Sequence, residues 1–88
     1  NVLPEKHKEI PAVTHVDGTG RLQTVQKEHA PLYWSLINAF GELTGTPVIL
    51  NTSFNENEPV VQSPAEAIVC FARTHMDALA IGNYLTVK

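Results

Sequence analysis

The sequence is poor in cysteine, in basic residues and in long apolar runs, and each scarcity excludes something. Cys70 is the lone cysteine, so there is no internal disulfide framework and no cysteine-rich zinc site. Such cysteine usage fits a reducing, cytoplasmic compartment. Six Lys and Arg against nine Asp and Glu leave a formal net charge of −3, which argues against a nucleic-acid partner. No apolar run approaches the ~20 residues of a membrane span, and no signal-peptide pattern opens the chain, so no membrane partner is expected. The four histidines, His7, His15, His29 and His75, lack tight ligand spacing with one another or with Cys70, so no metal site is expected here. Walker, GxGxxG and GxSxG motifs are absent, as are repeats and low-complexity segments.

What is present is globular. Hydrophobic residues make up 43% and charged residues 17% of 88 residues, enough for one small domain and too little for a two-domain enzyme. A chain of this size buries only about 60–65% of its unfolded surface, so the core is thin. It opens at Asn1 in a polar stretch without an initiator methionine, and reads as a piece of a longer protein.

Residues 1–11, charged and holding two prolines, read as a linker from a preceding domain. Residues 12–88 carry the domain. Ala12 to Asp17 and Arg21 to Val25 read as two strands of a hairpin around the turn Asp17-Gly18-Thr19-Gly20. Leu32, Tyr33, Leu36, Ile37, Phe40 and Leu43 recur at helical spacing, opened by Pro31 and closed by Gly45. Val48 to Leu50 reads as a central strand buried on both faces. Ser63 and Glu66 form a capping box ahead of a second helix ending near Asp77, with Ile68, Phe71, Ala72 and Met76 as its apolar stripe. Ala78 to Val87 reads as one or two closing strands with a bend at Gly82-Asn83. The expected fold is α/β (α+β), a small mixed β-sheet with two packed helices in the order β-β-α-β-α-β.

The polar segment Asn51 to Glu58 follows the carboxyl end of the expected central strand, where open α/β sheets bind ligands. Asn51, Thr52, Ser53 and Asn55 offer neutral hydrogen-bonding groups suited to phosphate or carbamoyl oxygens, or they serve only to satisfy backbone groups. Arg21 presents a planar fork suited to a phosphate or carboxylate, or it is a solvated or ion-paired arginine at a hairpin exit. His15 and Asp17 share a strand face and can pair. Cys70, with no base nearby in sequence, reads as a buried structural thiol, and Glu56 and Glu58 as solvated loop charges. Tyr33, Trp34 and Phe40 read as core or interface residues.

Two stretches, VTHVDGTGRLQTV (Val13 to Val25) and TGTPVILNTSFNENEPVVQSPAEAI (Thr44 to Ile68), resemble the C-terminal region of the O-carbamoyltransferases of nodulation and antibiotic biosynthesis, the NodU and cephalosporin/tobramycin carbamoyltransferase family. The resemblance runs from about Leu3 to the C-terminus. It implies that the chain is the C-terminal part of a YrdC-like domain, which uses ATP and carbamoyl phosphate to make carbamoyl-adenylate. A separate N-terminal domain of actin-like ATPase fold, holding iron, would then transfer the carbamoyl group to an acceptor hydroxyl. By the same resemblance Arg21, Ser53 and Asn55 are the catalytic residues, assisted by Asn51 and Thr52 in binding substrate and nucleotide. The lysine-bearing half of the YrdC-like domain has no match in Lys6, Lys8 or Lys27. The isolated chain is therefore expected to be inactive, with the preceding domains as its partners. The alternative is a non-catalytic binding or oligomerisation module, anchored through Tyr33 and Trp34 to a partner domain or to a second copy as a homo-oligomer.

Overall fold

A proline at one end and a glycine at the other bound the longest element, α1, Pro31–Thr44. Pro31 occupies the first turn, where its missing N–H costs nothing. Gly45 caps the other end in the left-handed region, φ +81°, and its N–H donates to the Gly41 carbonyl at 2.7 Å. The computed structural model describes residues 1–88. These divide into two units, Asn1–Asn51 and Thr52–Lys88.

The first unit holds α1 and two short 3-10 turns, Pro4–Lys6 and Pro11–Val13. Val2 donates its N–H to Gly18, and His7 Nε2 lies 3.0 Å from the Val2 carbonyl. Tyr33, Trp34 and Ile37 form the half-buried side of α1, with Lys27 Nζ over the Trp34 ring at 5.0 Å. Close approach of Pro47 explains Gly41: a Cβ there would stand 2.7 Å from Pro47 Cβ. The opposite stripe, Leu32, Leu36 and Leu43, is exposed.

The second unit contains α2, Pro64–Arg73, and the antiparallel strands β1, Ala78–Ile81, and β2, Tyr84–Val87. Ser63 Oγ accepts from the Glu66 N–H at 3.1 Å, while Glu66 Oε2 accepts from the Gln62 N–H at 2.9 Å, so the expected capping box forms with its return arm one residue early. Gly82, φ +57°, provides the first position of the two-residue turn joining the strands. α2 packs on β1 and buries Ala67, Cys70 and Phe71 with Leu79. Lys88 Nζ donates to the carbonyls of Phe71 and Thr74 and sits over the Phe71 ring, satisfying groups the helix end leaves open.

The expected class holds: a small mixed α/β fold of two helices and a two-stranded antiparallel sheet. The order differs, because only the closing pair of strands forms and that sheet is antiparallel rather than mixed. Ala12 to Asp17 is not a strand. Val13 lies in a 3-10 turn and Thr14 Oγ1 bonds back to the Ile10 carbonyl, a local bond that competes with a ladder. Arg21 to Val25 is not a strand either, and Leu22 is 87% exposed, so no apolar face pays the ordering cost of a two-stranded ribbon. Val48 to Leu50 has no strand beside it, and Val48 and Leu50 are exposed rather than buried on both faces. The second helix stops at Arg73 rather than near Asp77, and Ile68 and Ala72 lie outside its buried face. No helix is long and apolar enough to cross a membrane.

Candidate functional site

In the first unit the Asp17 turn forms as an Asx turn. Asp17 Oδ1 accepts from the Thr19 N–H at 3.0 Å and from Thr19 Oγ1 at 2.7 Å, and Gly18 takes φ +84°. These Thr19 bonds hold the Asp17 carboxyl below its ordinary range, with a smaller contribution from His15. His15 and Asp17 do not form an ion pair, and both Thr19 bonds fall on Asp17 Oδ1. Arg21 follows the turn, exposed and without a carboxylate or hydrogen-bond partner, so its guanidinium is solvated rather than ion-paired. Asn51, at the end of this unit, donates its amide to Gln23 Oε1 at 3.4 Å. That long contact joins the two sequence motifs just past Arg21.

The second unit begins with Thr52 and Ser53, both exposed and with hydroxyls free of protein partners. Asn55 differs. It is half-buried, and its Nδ2 donates to the Glu58 carbonyl at 2.7 Å. The Val61 N–H donates to the Phe54 carbonyl at 3.0 Å, drawing the two sides of the loop together. Glu58 organises the interior of the loop: Oε1 accepts from the Glu56 N–H at 3.4 Å and Oε2 from the Asn57 N–H at 3.1 Å. Arg73 Nη2, from the last turn of α2, lies 2.8 Å from Glu58 Oε1. Its own backbone amide first, then those of Glu56 and Asn57 and the Arg73 charge, hold the Glu58 carboxyl below the usual glutamate range. Glu58 is thus a structural anchor, not a solvated loop charge.

Cys70 lies beneath this loop, 1% exposed. Burial, then the Glu58 charge, pushes its thiol up, which keeps it protonated and unreactive as the sequence led one to expect. Neither unit gathers three His, Cys, Asp or Glu side chains that could hold a metal ion.

Arg21 and Asn51 therefore belong to the first unit, and Thr52, Ser53 and Asn55 to the second. Sequence reading missed Glu58 and Arg73 as loop anchors. They are too far apart along the chain for any local spacing rule to pair them.

The side chains at these positions offer neutral and cationic hydrogen bonding. Its residues 1–88 match the family model described as carbamoyltransferase C-terminus. The nodulation protein NolNO of Sinorhizobium fredii is 51% identical over 88 residues, 99% of this chain and 13% of that protein. The nodulation protein NolO of Bradyrhizobium diazoefficiens is 51% identical over 88 residues, 99% of this chain and 16% of that protein. The 3'-hydroxymethylcephem-O-carbamoyltransferase of Amycolatopsis lactamdurans is 48% identical over 46 residues, 52% of this chain and 9% of that enzyme. The chain thus spans a small part of the curated relatives it matches. Across its whole length it belongs to the carbamoyltransferase C-terminus family.

Proposed function

We propose that this chain is the C-terminal part of the YrdC-like domain of an O-carbamoyltransferase, acting in the cytoplasm together with the preceding domains of its protein. Carbamoyl phosphate, ATP and water would give carbamoyl-adenylate, phosphate and pyrophosphate, and the carbamoyl group would then pass to an acceptor hydroxyl with release of AMP and the hydroxyl proton. One observation carries the reading: in a chain matching this family throughout, Arg21 and Ser53 keep their polar groups free of protein partners.

The roles follow from charge and hydrogen-bonding capacity. Arg21 neutralises the charge that develops as a phosphate or pyrophosphate leaves, with a bidentate fork. Ser53 and Thr52 donate hydroxyl protons to substrate oxygens, and Asn51 and Asn55 fix orientation. Such catalysis is positioning and electrostatics, which needs no covalent intermediate on the protein. The name of the cephem relative specifies a hydroxymethyl acceptor, so an alcohol oxygen is the acceptor class proposed here too.

The test is pyrophosphate release from ATP by the full-length protein, dependent on carbamoyl phosphate. Arg21→Ala and Ser53→Ala should each lower the rate by about 100-fold, the usual loss on removing a preorganised donor, with folding intact. Wild-type turnover in both variants overturns the site.

The exposed Leu32, Leu36 and Leu43 stripe favours a second reading, docking of α1 to a partner domain or to a second copy. The anchors in that reading are these leucines rather than the expected Tyr33 and Trp34, which are half-buried. Sedimentation of the full-length protein across concentrations separates the two partners: self-association indicates a second copy, and a monomer throughout counts against one.

A further inference from the structure

The direction in which Asn55 points its amide limits what it can recognise. A side-chain amide has a donor half and an acceptor half. Asn55 spends its donor on the Glu58 carbonyl at 2.7 Å, and because a carbonyl only accepts, this bond fixes Nδ2 inward and Oδ1 outward. The loop holds that orientation through Glu58, which is tied to the Glu56 and Asn57 amides and to Arg73. Asn55 Oδ1 meets no donor of the protein and is not sealed from solvent. What Asn55 offers a ligand is one acceptor of fixed direction.

An acceptor oxygen has no attraction for a phosphate oxygen, which is itself an acceptor. Residues 51–58 contain Glu56 and Glu58 and no lysine or arginine, and Arg73, which reaches the loop from α2, is paired with Glu58. A fixed acceptor matches a group that only donates. The carbamoyl NH2 is such a group, because its lone pair is delocalised into the carbonyl, whereas a ribose hydroxyl both donates and accepts; the adenine amino group of ATP also only donates, and the KM for ATP tells it apart. Resting on the function proposed above, we infer that Asn55 is a specificity-determining residue that reads the carbamoyl group through an N–H···Oδ1 hydrogen bond and leaves the phosphates to other residues. Ser53, with a free hydroxyl, remains able to serve the phosphate side.

Acetyl phosphate, which carries a methyl group in place of the NH2, provides the probe. In the full-length wild-type protein its inhibition constant against pyrophosphate release should exceed the carbamoyl phosphate KM by about tenfold or more, because a site built for a donor is left unpaired by the analogue. Asn55→Ala should shrink that gap to within about threefold and leave the KM for ATP unchanged. A wild-type gap near one overturns the inference. So does Asn55→Ala if it weakens both acyl phosphates in parallel, as a phosphate contact would, or if it raises the KM for ATP, as a ribose contact would. Should Asn55→Ala fail to fold, Asn55→Ser takes its place, since its shorter hydroxyl does not extend an acceptor as far as Oδ1. A gap that shrinks then supports the inference, and parallel loss of both ligands refutes it. If the wild-type protein releases no pyrophosphate, the proposed function fails instead. Calorimetric titration of the full-length protein with the two acyl phosphates then decides the inference alone, equal affinities overturning it.

Discussion

Arg73 Nη2 lies 2.8 Å from Glu58 Oε1, joining the last turn of α2 to the loop that presents Ser53 and Asn55. Both side chains keep substantial exposure, 54% for Arg73 and 34% for Glu58, so the pair adds little to global stability. Its effect is local. The Glu58 carboxylate that faces Arg73 also accepts two loop amides, and its backbone carbonyl orients Asn55.

Arg73→Leu should therefore loosen the loop without unfolding the protein. Amide hydrogen exchange at Glu56 and Asn57 should quicken by about tenfold, while exchange within α2 stays near wild type. The double exchange Glu58→Arg with Arg73→Glu should not restore protection, because the arginine side chain cannot accept from the loop amides. Unchanged exchange at Glu56 and Asn57 in Arg73→Leu would show that the ion pair does not hold the loop.

Acid should act through Glu58 and Asp17. Both carboxyls are held low in the folded chain, by the backbone amides at Glu58 and by Thr19 at Asp17. A lowered folded-state value stabilises above the unfolded value, about 4.3 for glutamate and 3.9 for aspartate, and that contribution is lost as pH falls through the folded values. Thermal unfolding should be insensitive to these groups from neutral pH down to about pH 5 and fall in stronger acid. Glu58→Gln and Asp17→Asn should each flatten the acid limb, and an acid limb of wild-type slope in both variants would exclude them as its source.

The second unit's core is small enough for one side chain to decide its stability. Phe71 is 5% exposed, packed with Ala67, Cys70 and Leu79, and it carries the Lys88 ammonium over its ring. Phe71→Ala should cost about 3–5 kcal/mol in denaturant unfolding. Ile68→Ala, on the same helix but 55% exposed, should cost far less. Similar losses in both would mean that the buried face of α2 is not the one described.

Two glycines of the first unit should fail for different reasons. At Gly45, φ +81° with open space around it, alanine meets only backbone strain, about 1 kcal/mol. At Gly41, alanine meets Pro47 at 2.7 Å, an overpacking cost of about 1–3 kcal/mol. Asn at position 45 should be tolerated better than alanine, since Asn visits the left-handed region, whereas Asn at position 41 should be worse than alanine. Unfolding midpoints of the four variants test the distinction.

The elements that sequence reading identified are those whose ends are satisfied locally. Pro31 and Gly45 bound α1 as expected, Ser63 and Glu66 start α2, and Gly82 turns the hairpin. The strands that did not form were read from short apolar or alternating runs. Such runs state a preference but supply no neighbour, and Val48 to Leu50 found none. Among the candidate site residues, Arg21 and Ser53 were singled out through long motifs and are unpartnered side chains. Glu58 was misread as a solvated charge because its carboxylate is matched by an arginine from a different element.

Composition, caps, turns and family membership were determined by the amino-acid sequence itself, because each depends on residue identity or on groups within about four positions of one another. The tertiary structure decided which face of each helix is covered, which strands pair, and which half of the Asn55 amide is left unpaired. Those outcomes depend on groups distant in sequence meeting in space. Burial and ion pairing are settled by the whole packing arrangement, as Arg73 settles the loop through Glu58.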